Sequence, residues 1–153
     1  MDYVLDNIKQ RIKEHEGCKL IAYVDTRGYL TIGWGHQILA SDGLRENDTI
    51  SQQHADDLFE HDFAWILTGI KQLVPMFDRL PEPIKIVLCD MAFNNGILGL
   101  KKFKRFLHYV NLELWLEAAS EIKDSANYRS QDLHSRYAEL AMMVQNTANG
   151  VIA

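Results

Sequence analysis

Apolar residues along the chain change their spacing several times, and each change marks an element. Val4, Ile8 and Ile12 fall four apart with Leu5 alongside, a helical stripe over residues 3 to 15 that Gly17 stops just beyond Glu16. From Lys19 to Gly35 the chain turns β-branched and aromatic around Asp25-Thr26-Arg27-Gly28, which predicts a hairpin or small sheet. On its second strand, Tyr29, Thr31 and Gly33 share one face and Leu30, Ile32 and Trp34 the other, so the apolar set packs on a core and Thr31 turns toward something polar. Residues 37 to 50 read as a polar, irregular connector. Ser51 then caps a long helix whose stripe runs through Ala55, Leu58, Phe59, Phe63, Ile66, Leu67, Ile70, Leu73 and Val74 and ends before Pro75. Pro81 and Pro83 open an apolar helix through Ile84, Val87, Leu88, Met91 and Ala92, with a stop signal at Asn94-Asn95-Gly96. Further helices are expected over 100 to 110, 112 to 123 and 133 to 146. The order of elements predicts an α+β chain: a small N-terminal sheet lobe over 14–50, a connecting helix over 51–74 that joins two lobes, and a larger all-helical lobe over 75–153, with the N-terminal helix packing on the helical lobe.

Composition narrows the function more than the fold. The 153 residues suit one compact domain, and 47% apolar with 24% charged residues is an ordinary globular balance. Sixteen basic against 21 acidic side chains leave a formal charge of -5, with no broad basic face for nucleic acid. Cys18 and Cys89 lack metal or redox spacing and read as two buried thiols in a reducing compartment. The N-terminus carries no basic segment followed by an apolar run, and no apolar stretch approaches the ~18 residues of a membrane span. The expectation is a cytosolic product without an integral membrane segment.

Candidate chemistry gathers in one short stretch. Glu16 ends a helix, where exposed carbonyls and the nearby Glu14 favour the protonated acid, the state a general acid needs near neutral pH. Asp25 follows nine residues later in a polar turn. Taken singly, each reads as an ordinary surface carboxylate. As a pair on different elements, one tending to neutrality and one ionised, they meet the requirement of glycoside hydrolysis. Thr31 brings a hydroxyl able to hold water. Asp62 lies four residues past Leu58 and four before Ile66, inside an apolar stripe, and therefore needs a partner; His36 is the chemically suitable one. His15, His54, His61, His108 and His134 form no metal-ligand pattern and are expected at the surface. Trp65 and Trp115 are expected in the core, and the charge run Lys101 to Arg105 on a solvated face able to attract a wall polymer.

The run EGCKLIAYVDTRGYLTIGWGH fixes two acids, a threonine, several glycines and a histidine within 21 residues, and it resembles the core motif of the phage-type lysozymes, or endolysins, of the T-even and lambdoid type. Weaker similarity continues through DDLFEHDF, the helix ending AFNNG, and LHSRYAEL. The resemblance implies a lysozyme-like fold and a muramidase cleaving the β-1,4 bond between N-acetylmuramic acid and N-acetylglucosamine of peptidoglycan, in a cleft between the lobes. It implies Glu16 as general acid, Asp25 as the carboxylate governing the attacking water, Thr31 as its helper, and Phe93, Asn94 and Arg136 as substrate-binding residues, Arg136 pairing with the catalytic glutamate. It implies no cofactor, no metal and a monomer, made in the host cytoplasm and reaching the wall after release by another protein. The alternatives are a lytic transglycosylase, which needs no water-activating carboxylate, and an inactive wall-binding module. The chain departs from the family in its net negative charge and in Asn127, where an aromatic residue is common.

Overall fold

A computed structural model describes residues 2–150. The chain forms two compact units that divide near residue 65. Within the first, α1 spans Tyr3–Glu16; Asp2 caps it by accepting hydrogen bonds from the amides of Val4 and Leu5, and Gly17 ends it at φ 68°. The apolar stripe puts Ile8 and Ile12 in the interior. Flanking that stripe are Lys9, whose Nζ lies 2.9 Å from Glu60, and Lys13, which sits over the Phe59 ring, so α1 is held along the next long helix.

A three-stranded antiparallel sheet follows, β1 Lys19–Val24, β2 Leu30–Gly33 and β3 His36–Gln37, in that order, with Tyr23 opposite Thr31 and Ile32 opposite His36. Ile32 is fully buried, as the alternation predicts; Thr31, expected to face a polar surface, is buried as well. Its hydroxyl donates to the Tyr29 carbonyl at 2.9 Å, which satisfies the group away from bulk water. The connector is more ordered than its composition suggests. It holds a 3-10 turn over Ala40–Asp42, and its end lies along the free edge of β1, where the Ala22 amide donates to Asp48 at 2.8 Å and the Ile50 amide to Leu20 at 2.9 Å. Backbone pairing, invisible to a side-chain pattern, supplies that order.

Helix α2, Gln52–Leu73, runs from one unit into the other. Ser51 accepts from the His54 amide at its start. Ala55, Phe59 and Phe63 are buried in the first unit, and Ile70 in the second. Trp65, expected in the core, is 73% exposed. It stands two residues past Phe63, about 200° around the helix from that buried ring, so its position on the wheel overrides its hydrophobicity.

The second unit is helical: α3 Glu82–Lys101, α4 Lys104–Asn111, α5 Trp115–Lys123, α6 Ala126–Arg129 and α7 His134–Ala148. Residues 87 to 92 of α3 are all buried, which marks it as the central helix. The expected stop at Asn94-Asn95-Gly96 is instead a break. Gly96 takes φ 73°, open to glycine at little cost, and the helix resumes beyond it. A close approach explains Gly69 on α2, where a Cβ would come within 2.7 Å of Ile97. α5 packs on α4 and α7, and α7 also on α3. Among the described residues, no helix is long and apolar enough to cross a membrane.

Candidate active site

Glu16 is the last residue of α1, and its carboxyl group lies close against Gly35. A Cβ built on Gly35 would stand 2.6 Å from Glu16 Oε2 and 3.1 Å from its carboxyl carbon. Gly35 also has φ 76°, so both its conformation and its neighbour call for glycine. The same loop is tied to α2 by Trp34, whose indole N–H donates to Asp56 at 2.8 Å.

Asp25 builds the hairpin turn around one of its own oxygens. Oδ1 accepts from the amides of Arg27 at 2.9 Å and Tyr29 at 2.8 Å, while the main chain closes through Asp25 N to Tyr29 O at 2.8 Å. The carboxylate is thus held rigidly by one oxygen. Thr31, on the adjoining strand, has given its hydroxyl proton to the Tyr29 carbonyl and has lone pairs left to accept with. Sequence reasoning missed Tyr23, the cross-strand partner of Thr31. Its phenol is pushed up by burial and, beyond that, by the negative charges of Glu16 and Asp25. Tyr29 joins Asp25 to Thr31 directly: its amide donates to Asp25 Oδ1 at 2.8 Å, and its carbonyl accepts from the Thr31 hydroxyl at 2.9 Å.

His36 is buried at the start of β3 and held from both sides, Nδ1 2.7 Å from Asp62 and Nε2 2.8 Å from Asp42. Two acceptor carboxylates demand two donors, which only the imidazolium supplies. Burial alone would lower its pKa; the hydrogen bonds to Asp62 and Asp42, with their charges, outweigh it and raise it from 6.5 to about 9. Asp42 in turn is held below the usual carboxylate range against the pull of its burial, by the Leu39 amide and by His36, with His54 contributing charge. Asp42 had no sequence signal, because it sits in the polar connector among other acids.

The remaining candidates belong to the helical unit. Phe93 and Asn94 are half-buried on α3 just before the break, and Asn94 Oδ1 accepts from the Tyr137 hydroxyl at 2.9 Å. Arg136, on α7, donates from Nε to Asp90 Oδ1 at 2.7 Å, and its Nη2 contacts the same oxygen. Asp90 is fully buried. Sequence reasoning missed Asp90, Asn95 and Tyr137, whose partners lie more than 40 residues away along the chain. The other five histidines are exposed, and both cysteines are free thiols; Cys89 is buried, but Cys18 only partly so. Among the described residues, no group of three or more His, Cys, Asp or Glu is placed to hold a metal ion.

Comparison with known proteins identifies the family. Residues 13–138 match the phage lysozyme family model. The chain is 29% identical over 144 residues to the probable T4-type lysozyme 2 of Dictyostelium discoideum, covering 80% of this chain and 85% of that protein. It is 28% identical over 159 residues to the pre-baseplate central spike protein Gp5 of Enterobacteria phage T4, covering 90% of this chain and 27% of that one. It is 33% identical over 87 residues to the endolysin of Salmonella phage P22, covering 56% of this chain and 58% of that protein. With an acid at the end of α1, a second in the adjoining turn and a family match over most of its length, the chain belongs to the phage lysozyme family and is a glycoside hydrolase of the lysozyme type.

Proposed function

We propose that the protein hydrolyses the β-1,4 bond between N-acetylmuramic acid and N-acetylglucosamine of peptidoglycan by a single displacement, with Glu16 as general acid and Asp25 as the base that governs the water. Glu16 gives its proton to the bridging oxygen as the bond to the muramic anomeric carbon breaks, and the oxygen leaves as the 4-hydroxyl of the glucosamine. A water attacks that carbon from the opposite side. It donates one hydrogen bond to Asp25 and one to Thr31, whose own proton is spent on Tyr29, so a lone pair is aimed at the sugar. Asp25 takes the water's proton, Glu16 ends ionised, and the configuration inverts. A separation of roughly 6.5–9.5 Å between the carboxyl groups leaves room for this water. His36, Asp42 and Asp62 hold the sheet in place, and Phe93, Asn94 and Arg136 bind the glycan.

The observation that supports the reading is the hairpin geometry: Asp25 and Thr31 share Tyr29 as hydrogen-bond partner, and the Glu16 carboxyl lies against Gly35 at the end of the same stretch. No metal or cofactor has a step in it. We take the enzyme to act as a monomer, made in the host cytoplasm and let through to the wall by another protein. Digestion of purified sacculi followed by mass spectrometry of the soluble products tests the reaction. Reducing muramic ends are expected; anhydro ends would make it a lytic transglycosylase, and intact sacculi a binding module. Glu16→Gln is expected to cut turnover by at least about 10²-fold, in line with the loss of a general acid, at unchanged thermal stability. Full activity in that variant would refute the assignment.

A further inference from the structure

Behind Asn94 lies a chain of hydrogen bonds whose direction is set at one end. Asn95 Nδ2 lies 2.7 Å from the main-chain carbonyl of Met91. That carbonyl is an acceptor only, so the Asn95 group facing it is the NH2 and not the oxygen. The same NH2 lies 2.8 Å from the Tyr137 hydroxyl and donates to it, while Asn95 Oδ1 accepts from Asn127 Nδ2 at 3.0 Å. The Tyr137 oxygen thus receives a hydrogen from Asn95 and is also bonded by the Asn127 side chain as a donor, so its own proton goes to Asn94 Oδ1, at 2.9 Å. Tyr137 is fully buried, and its phenol is raised by that burial against the lowering effect of the amide hydrogen bonds, so it keeps this proton.

We infer that Tyr137, oriented by Asn95 and the Met91 carbonyl, is a positioning residue that locks the Asn94 amide with its NH2 turned outward, making this position selective for an acceptor oxygen of the glycan, the acetamido carbonyl. The inference rests on the reading that Asn94 contacts sugar and goes beyond it by fixing the polarity of the contact. An unrestrained asparagine offers either end of its amide and accommodates donor and acceptor alike. With its oxygen committed to Tyr137, Asn94 discriminates against a group that only donates. The protonated amine left by removal of an acetyl group is such a donor. Asn127, whose Nδ2 donates to Asn95 Oδ1, belongs to the same network.

Two readouts test this. In NOE spectra of the folded protein, the Tyr137 ring protons are expected to see the Asn95 side-chain NH2 and not that of Asn94; the reverse pattern overturns the assigned polarity whatever Asn94 touches. With soluble glycan chains, Tyr137→Phe is expected to raise KM about tenfold, the worth of one oriented hydrogen bond, with kcat within about twofold. In an Asn94→Ala background the same substitution is expected to raise KM no further, and the preference for N-acetylated over de-N-acetylated chains should shrink. An equal rise in both backgrounds would reduce Tyr137 to a structural residue and overturn the inference. If Asn94→Ala alone leaves KM unchanged, contact with the glycan is refuted, and the NOE pattern separately upholds or refutes the polarity. Circular dichroism and a thermal melt on each variant ensure that KM is read on folded protein.

Discussion

The clasp around His36 makes folding stability depend on pH in a direction that can be worked out in advance. A group whose pKa is raised on folding stabilises the native state fully below its unfolded value and ceases to do so as pH rises through the folded one. For His36 those limits are 6.5 and about 9. The difference of roughly 2.5 pH units corresponds to about 3 kcal/mol, and the side chain is only 7% exposed, so solvent screens little of it. Asp42 behaves oppositely. Its lowered pKa adds stability above its ordinary value of 3.8 that is lost as pH falls through the folded one, so the clasp is strongest between about pH 4 and 6.5. The perturbation is His36→Gln, which keeps a polar side chain but cannot carry charge. Urea denaturation of both proteins from about pH 5 to 10 gives the difference in unfolding free energy at each pH. That difference should fall by about 3 kcal/mol between 6.5 and 9, and the ring carbons of His36 should titrate near 9 by NMR. Parallel stability curves, or a midpoint near 6.5, would refute the reasoning.

Other consequences follow from single contacts. Gly35→Ala should lower kcat on the order of 10²-fold, because its methyl group would displace the Glu16 carboxyl by about an ångström. Gly43→Ala, at a similar φ of 67° with nothing within 4 Å, should lower only the melting temperature; equal kinetic losses would show that backbone strain alone is responsible. Asp90→Ala leaves the Arg136 guanidinium without its buried partner and should cost about 3–5 kcal/mol in urea unfolding. Arg105→Ala, which removes an exposed guanidinium from its pair with the half-buried Glu121, should change the unfolding free energy by less than about 1 kcal/mol in urea denaturation.

Where local rules govern the chain, the fold was legible. Gly17 stopped α1 where its stripe ends, the Asp25 to Gly28 turn announced the hairpin, and Ser51 and Pro75 bracketed α2. The α+β architecture followed from that order. Gly96 misled because a glycine that ends a helix and one that kinks it look alike in sequence, and beyond the kink Ile97 lies close against Gly69, a tertiary contact that no local pattern shows. Trp65 misled because hydrophobicity was weighed ahead of its place on the helical wheel. Glu16, Asp25 and Thr31 were singled out because chemistry and motif coincide within one short stretch. Asp42, Tyr23 and the Tyr137 network were not. Each acts through a partner brought near by folding, and an aspartate in a polar loop or a tyrosine in a helical stripe carries no mark of that role.

The central claim is that Asp25 and Thr31 direct water to the face of the muramic ring opposite Glu16. The anomeric configuration of the first product reports on this directly. Proton NMR during the opening seconds of digestion of soluble glycan chains, before mutarotation, should show the α-anomer at the new reducing end. A β-anomer would contradict the account, because it would mean retention, with Asp25 or another group attacking the sugar where water was assigned.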